Sequence, residues 1–100
     1  MQIYQHRDTI TVAGGTNNTV SLKINGGLCQ QLLIRALTDS TTQFRADLTD
    51  SNSIVRRHYA FHEGEINDSG MSFPLVGQYT INITNANQAE TFDVILAVEE

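Results

Sequence analysis

Apolar residues recur with a period of two along most of this chain. In Gly77-Gln78-Tyr79-Thr80-Ile81-Asn82-Ile83-Thr84 the polar and apolar positions alternate. After the polar stretch Asn85-Ala86-Asn87-Gln88-Ala89-Glu90 the alternation resumes in Thr91-Phe92-Asp93-Val94-Ile95-Leu96-Ala97-Val98. Side chains on a strand point alternately to opposite faces, so Tyr79, Ile81 and Ile83 form one stripe and Phe92, Val94, Leu96 and Val98 another. Two stripes joined by a short polar loop predict an antiparallel hairpin. A hairpin cannot bury its own stripe, so the rest of the chain must supply an opposing sheet.

The earlier segments read the same way. Thr9-Ile10-Thr11-Val12-Ala13 and Thr19-Val20-Ser21-Leu22-Lys23-Ile24-Asn25 flank Gly14-Gly15-Thr16-Asn17-Asn18, a second predicted hairpin ended by Gly26-Gly27. Residues 28–37 carry two patterns. Leu28, Leu32 and Leu33 suit a helix stripe, but no capping box precedes them and β elements flank them. The reading favours a strand with Leu32, Ile34 and Ala36 on its buried face. Turns at Asp39-Ser40-Thr41-Thr42 and Asp50-Ser51-Asn52-Ser53 bracket a strand through Phe44, Ala46 and Leu48. Residues 54–62 are extended, with Val55, Tyr59 and Phe61 on one face, and residues 63–70 form a polar loop. Residues 71–76 make a short strand in which Pro74, lacking an N–H, belongs at an edge. The sum is an all-β chain, a single antiparallel β-sandwich of jelly-roll or immunoglobulin-like type with about seven to nine strands. One domain spans residues 1–100, with residues 1–8 expected as an N-terminal arm.

Composition narrows the function. Charged residues make up 17% of the chain, below the usual quarter, and Thr, Asn, Ser and Gln take their place, as suits uncharged outer strand faces. Eleven acids against six bases argue against nucleic-acid binding. Arg56-Arg57 is the one basic pair, and on a strand its side chains point to opposite faces. A single cysteine, Cys29, permits no internal disulfide and reads as a small buried hydrophobe. No run of apolar residues approaches a membrane span, and the N-terminus lacks the apolar run of a signal peptide.

Catalytic chemistry finds no foothold. His58 and His62 would meet on a helix, but on a strand they lie about 13 Å apart. Asp50-x-Asn52 starts like a calcium loop yet lacks its glycine and terminal glutamate, and Asp50, Asn52, Asn67 and Asp68 read as turn residues. No Gly-x-Ser-x-Gly nucleophile elbow or phosphate-binding glycine loop is present. The expectation is a non-enzymatic chain with no catalytic residues, no cofactor and no metal. Its candidate interface anchors are the aromatic residues Tyr4, Tyr59 and Phe73.

The stretches Gln31-Leu32-Leu33-Ile34-Arg35-Ala36, Thr42-Gln43-Phe44-Arg45-Ala46-Asp47-Leu48-Thr49-Asp50, Pro74-Leu75-Val76-Gly77-Gln78-Tyr79-Thr80-Ile81-Asn82-Ile83 and Thr91-Phe92-Asp93-Val94-Ile95-Leu96 carry a resemblance. Together they resemble small all-β structural proteins of tailed bacteriophages, in particular capsid decoration (cement) proteins. The resemblance implies a virion component made in the host cytoplasm, binding the major capsid protein or other virion proteins and forming a homo-oligomer, a trimer favoured. In immunoglobulin-like domains a tyrosine placed like Tyr79 forms a corner hydrogen bond. Two alternatives stand beside this expectation: a carbohydrate-binding module, and a head–tail connector or tail subunit.

Overall fold

The computed structural model describes residues 2–100, with the side chain of Phe73 outside what it describes. Seven strands follow in order: β1 (Ile3–Val12), β2 (Asn18–Ala36), β3 (Gln43–Thr49), β4 (Val55–Glu63), β5 (Glu65–Asp68), β6 (Phe73–Thr84) and β7 (Glu90–Glu99). All pairings are antiparallel, and no helix occurs among the described residues. The strands form one hydrogen-bonded sheet in the order β1-β7-β2-β6-β3-β4, with β5 also on β2.

The long strand β2 folds this sheet into two layers. Its residues 18–24 pair with β6, whereas residues 32–35 lie between β7 and β5. The change happens at Gly26 and Gly27, where φ is 133° and 154° and the register with β6 slips. Only glycine holds such angles without strain. One layer is thus β1-β7-β2-β5 and the other β2-β6-β3-β4. Their inner faces meet in one core, where the Phe44 and Phe92 rings from opposite layers lie 4.5 Å apart. Every second residue of the strands enters it: Leu32 and Ile34, then Phe44, Ala46 and Leu48, then Tyr79, Ile81 and Ile83, then Phe92, Val94, Leu96 and Val98. The Tyr79 hydroxyl accepts the Val76 N–H at 3.0 Å, a short corner contact at the entry of its strand.

Several sequence-based expectations need correction. Residues 77–84 and 91–98 are strands but not a hairpin: β6 pairs with β2 and β3, and β7 with β1 and β2. The linker crosses between layers, held by buried Ala86, by Gly15 N–H to Ala86 O (2.9 Å) and by Asn87 N–H to Gln43 O (3.0 Å). Likewise β1 and β2 turn at Ala13–Thr16 but diverge into different layers. Alternation fixes the face a residue takes, not which strand lies beside it. Gly26-Gly27 bends β2 instead of ending it, and residues 28–36 are strand, as expected. The polar loop over residues 63–70 contains β5, recruited through the single buried side chain of Ile66. Asn67 and Asp68 are therefore strand residues, not turn residues. Residues 3–8 are no arm, because they pair residue by residue with β7. In β4, register slips against β3 break the alternation, so Val55 and Phe61 face solvent while Tyr59 packs on the core.

The two inter-layer linkers are tied together by one carboxylate. Glu90 is buried and accepts five hydrogen bonds, from the N–H and hydroxyl of Thr38, the N–H of Asp39, the hydroxyl of Thr42 and the N–H of Thr91. Burial alone raises its pKa, but the bonds from Thr38, Thr91 and Thr42 outweigh it and hold the carboxyl at about 2.

Candidate docking surface

Residues facing each other across an antiparallel ladder project to the same side. The outer face of the β1-β7-β2-β5 layer can therefore be read row by row. Its lowest row is Ile3, Glu99, Leu28 and Pro74, followed by Gln5, Ala97 and Gln31. Then come Arg7, Ile95, Leu33 and Asn67, and above them Thr9, Asp93, Arg35 and Glu65. Ile95 and Leu33 are half-buried and Ala97 is buried, while Ile3 and Leu28 are 60% and 40% exposed. These five side chains form an apolar strip on a face turned away from the core.

Polar groups frame the strip and are tied down. Arg7 Nη2 donates to Asp93 Oδ2 at 2.8 Å, and Arg35 Nη2 approaches the same oxygen at 3.7 Å. Two guanidinium groups thus share one largely buried carboxylate, and Glu65 stands opposite Arg35 in the same row, so that end carries no net charge. Gln31 Nε2 donates to Asn67 Oδ1 at 2.8 Å across β2 and β5. An apolar middle with an arginine-containing polar rim is the composition of a protein-binding patch.

The opposite outer face differs in kind. Thr19, Ser21 and Lys23 of β2 face Asn82, Thr80 and Gln78 of β6, and Asp47 and Thr49 of β3 continue the rows. Ser21 and Thr80 share a hydroxyl hydrogen bond at 3.2 Å, and His58 Nδ1 bonds Asp47. The one exposed aromatic nearby, Phe61, lies under the Arg45 guanidinium at 4.4 Å. The centre of that face is polar, and its exposed apolar side chains, Val55 and Phe61, lie on the edge strand β4.

The anchors expected from sequence do not come together as one site. Tyr4 is half-exposed on the edge strand, its hydroxyl donating to Gln2 Oε1. Tyr59 lies in the other layer, and its hydroxyl donates to Asp68 Oδ2 at 2.8 Å. Burial first, and then that bond, push the Tyr59 pKa well up. The side chain of Phe73 falls outside the described residues; its backbone stands in the same row as Tyr4, through Val98 and Cys29. Cys29 is fully buried with its thiol against Met71 Sδ at 3.6 Å, and burial pushes its pKa up to about 11, the opposite of an activated nucleophile. His58 and His62 are both exposed, and the latter bonds the Ala60 carbonyl. No group of three metal-ligating side chains and no pocket occurs among the described residues.

Sequence reading missed the strip of Leu33, Ile95 and Ala97, although a signal was present. Leu32-Leu33 and Val94-Ile95-Leu96-Ala97-Val98 break alternation with apolar residues on both faces. A strand apolar on both faces is covered on both, by the core on one side and by something else on the other.

No protein-family model matches the sequence, and no curated protein matches it. Among solved structures, the chain is similar to PliG of Aeromonas hydrophila, a periplasmic inhibitor of g-type lysozyme. That match has 13% identity and a TM-score of 0.48, over 95% of this chain and 85% of that one. It is also similar to the core of Drosophila NLP, whose structure concerns pentamer formation and histone binding. Here the identity is 9% and the TM-score 0.48, over 94% of this chain and 99% of that one.

Proposed function

We propose that this protein is non-enzymatic and works by laying a flat β face on another protein, as a decoration protein on the shell of a phage head. The observation that carries the reading is the outer face of the β1-β7-β2-β5 layer. It has an apolar strip that runs from Ile3 and Leu28 at one end through Ala97 to Ile95 and Leu33, with Arg7, Arg35 and Asp93 beside its other end. A face without a pocket among the described residues suits a partner surface more than a small molecule, which needs concavity to be enclosed. The virion setting comes from the sequence resemblance. It accounts for a small rigid module whose individual contacts are modest, since repetition over a lattice multiplies weak contacts through effective concentration.

The test is co-sedimentation of the purified protein with undecorated shells of the phage that encodes it, followed by thermal denaturation of the shells. Saturable binding at a fixed number of copies per shell, with a raised shell melting temperature, is the expected result. Folded protein that stays in the supernatant at every concentration rules the reading out. Binding to a glycan array in its place would transfer the assignment to a carbohydrate-binding module.

A further inference from the structure

The strand β1 ends the sheet, paired on one side with β7 in an unbroken register from Ile3 to Val12. Gln2 and Glu100 exchange both backbone bonds, Gln2 N–H to Glu100 O at 3.4 Å and Glu100 N–H to Gln2 O at 2.9 Å. That exchange fixes the phase of the ladder. Even-numbered residues of β1 turn their backbone groups toward β7, and Ile3, Gln5, Arg7, Thr9 and Thr11 turn theirs outward. Two contacts agree with this phase and close the upper half of the edge: Thr9 N–H donates to Asp8 Oδ1 at 2.8 Å, and Thr11 O accepts Asn18 Nδ2 at 2.9 Å. The open stretch is Ile3, Gln5 and Arg7.

The strand at the far end of the order, β4, is guarded. β4 slips register twice against β3. Its Arg57 pairs with Leu48, so it projects on the side of the core. The Arg56 carbonyl accepts Arg57 Nη1 at 2.9 Å, and the Ala60 carbonyl accepts His62 Nδ1 at 2.7 Å. Bulges, inward charge and occupied carbonyls are the devices that prevent edge pairing. Over residues 3–7, β1 has no register slip and no side chain bonded to an outward carbonyl, and its inward polar side chain, His6, is tied to Glu100 at 3.0 Å.

The geometry points to β1 as a self-association edge, pairing antiparallel with β1 of a second copy about a two-fold axis at Gln5. In that register Ile3 faces the partner's Arg7, Gln5 faces the partner's Gln5, and all three outward residues of each copy bond to the other. Tyr4 stands opposite the partner's His6, an aromatic cross-strand pair on the opposite side of the sheet. The two Arg7 side chains sit at opposite ends, about 13 Å apart. Moving the axis to Arg7 would set the two guanidinium groups against each other and spend pairing on the capped Thr9 N–H. Moving it to Ile3 would leave Arg7 unpaired. The open stretch is thus self-complementary in one register, which is why a second copy is the occupant. Five residues per copy is a small contact beside the roughly 800 Å² per partner of stable complexes, so the dimer is weak and forms at high concentration.

This pairing does not depend on shell docking, and neither does its test. Amide hydrogen exchange read by NMR from micromolar to millimolar protein should slow about tenfold at Ile3, Gln5 and Arg7. The amides of β4 should not respond. In parallel, mild oxidation should cross-link Gln5→Cys into a dimer, because bonded pairs across a two-fold axis have Cα atoms about 5.5 Å apart, within disulfide reach. Thr9→Cys, on the same strand face, should stay monomeric. Exchange that ignores concentration, slowing along β4 in its place, or equal cross-linking at Thr9 would each overturn the proposal.

Discussion

At the scale of single residues, Glu90 decides more than its place in the sequence suggests. It closes a stretch of polar residues and looks like one of eleven interchangeable acids. Its donors Thr38, Asp39 and Thr42 lie some fifty positions earlier, and only the completed fold brings them within reach. No local pattern could have marked it, whereas the Asp39 and Asp50 turns were legible because their bonds to Thr41, Asn52 and Ile54 are local. Replacing Glu90 by Ala leaves the buried Thr42 hydroxyl and the part-buried Asp39 and Thr91 N–H groups without this acceptor and should lower stability by about 2 kcal/mol in urea denaturation. The pH dependence follows from direction. The folded carboxyl is held at about 2, below the ordinary value of 4.5, so between these values the unfolded chain binds more protons. Its contribution is complete above the ordinary value and is lost as pH falls toward about 2. Asp39, held near 2 chiefly by its bonds from Thr41 and Gln88, acts in the same direction. Glu90→Gln should therefore flatten the acid limb of a stability–pH curve; an unchanged limb would show that other carboxylates dominate it.

At the scale of elements, the strands were readable and their neighbours were not. Period-two alternation identified Phe44, Ala46 and Leu48, and Tyr79, Ile81 and Ile83, as inward-facing, and all are buried. The same alternation is silent on pairing, so two pairs of segments adjacent in sequence read as hairpins that the fold does not make. The decisive element is β2, whose glycine pair looked like an end and proved to be the fold line between layers. The two glycines should not respond alike to substitution. A Cβ at Gly27 would meet the Glu99 carbonyl oxygen at 2.5 Å and Val98 Cγ1 at 2.7 Å, whereas one at Gly26 meets nothing within 4 Å. Gly26→Ala should cost about 1–2 kcal/mol for its positive φ alone. Gly27→Ala should cost at least about 1 kcal/mol more, because the β2–β7 contact must open to admit the methyl group. Equal midpoints for the two variants in chemical denaturation would count against β2 being pinned to β7 at the bend.

At the scale of the whole molecule, two outer faces of one folded sheet have diverged in chemistry, and this divides stability from binding. The face of β2-β6-β3-β4 pairs its central polar groups with one another, Ser21 with Thr80 and Asp47 with His58, and keeps its exposed apolar Val55 and Phe61 on the edge strand β4. The opposite face leaves Leu33 and Ile95 half-covered beside two arginines sharing Asp93. The net charge of −5 over 100 residues is modest. If docking runs through the second face, Ile95→Arg should leave the melting temperature nearly unchanged, since the side chain already borders water. It should weaken binding to the shell by about thirtyfold, the equivalent of about 2 kcal/mol for charging a central contact. Thr80→Arg, central on the polar face, should change neither quantity. The pair separates two failures that a single variant would confuse. Loss of binding in Thr80→Arg alone would move the interface to the polar face, and loss of folding in Ile95→Arg would mean that this side chain belongs to the core.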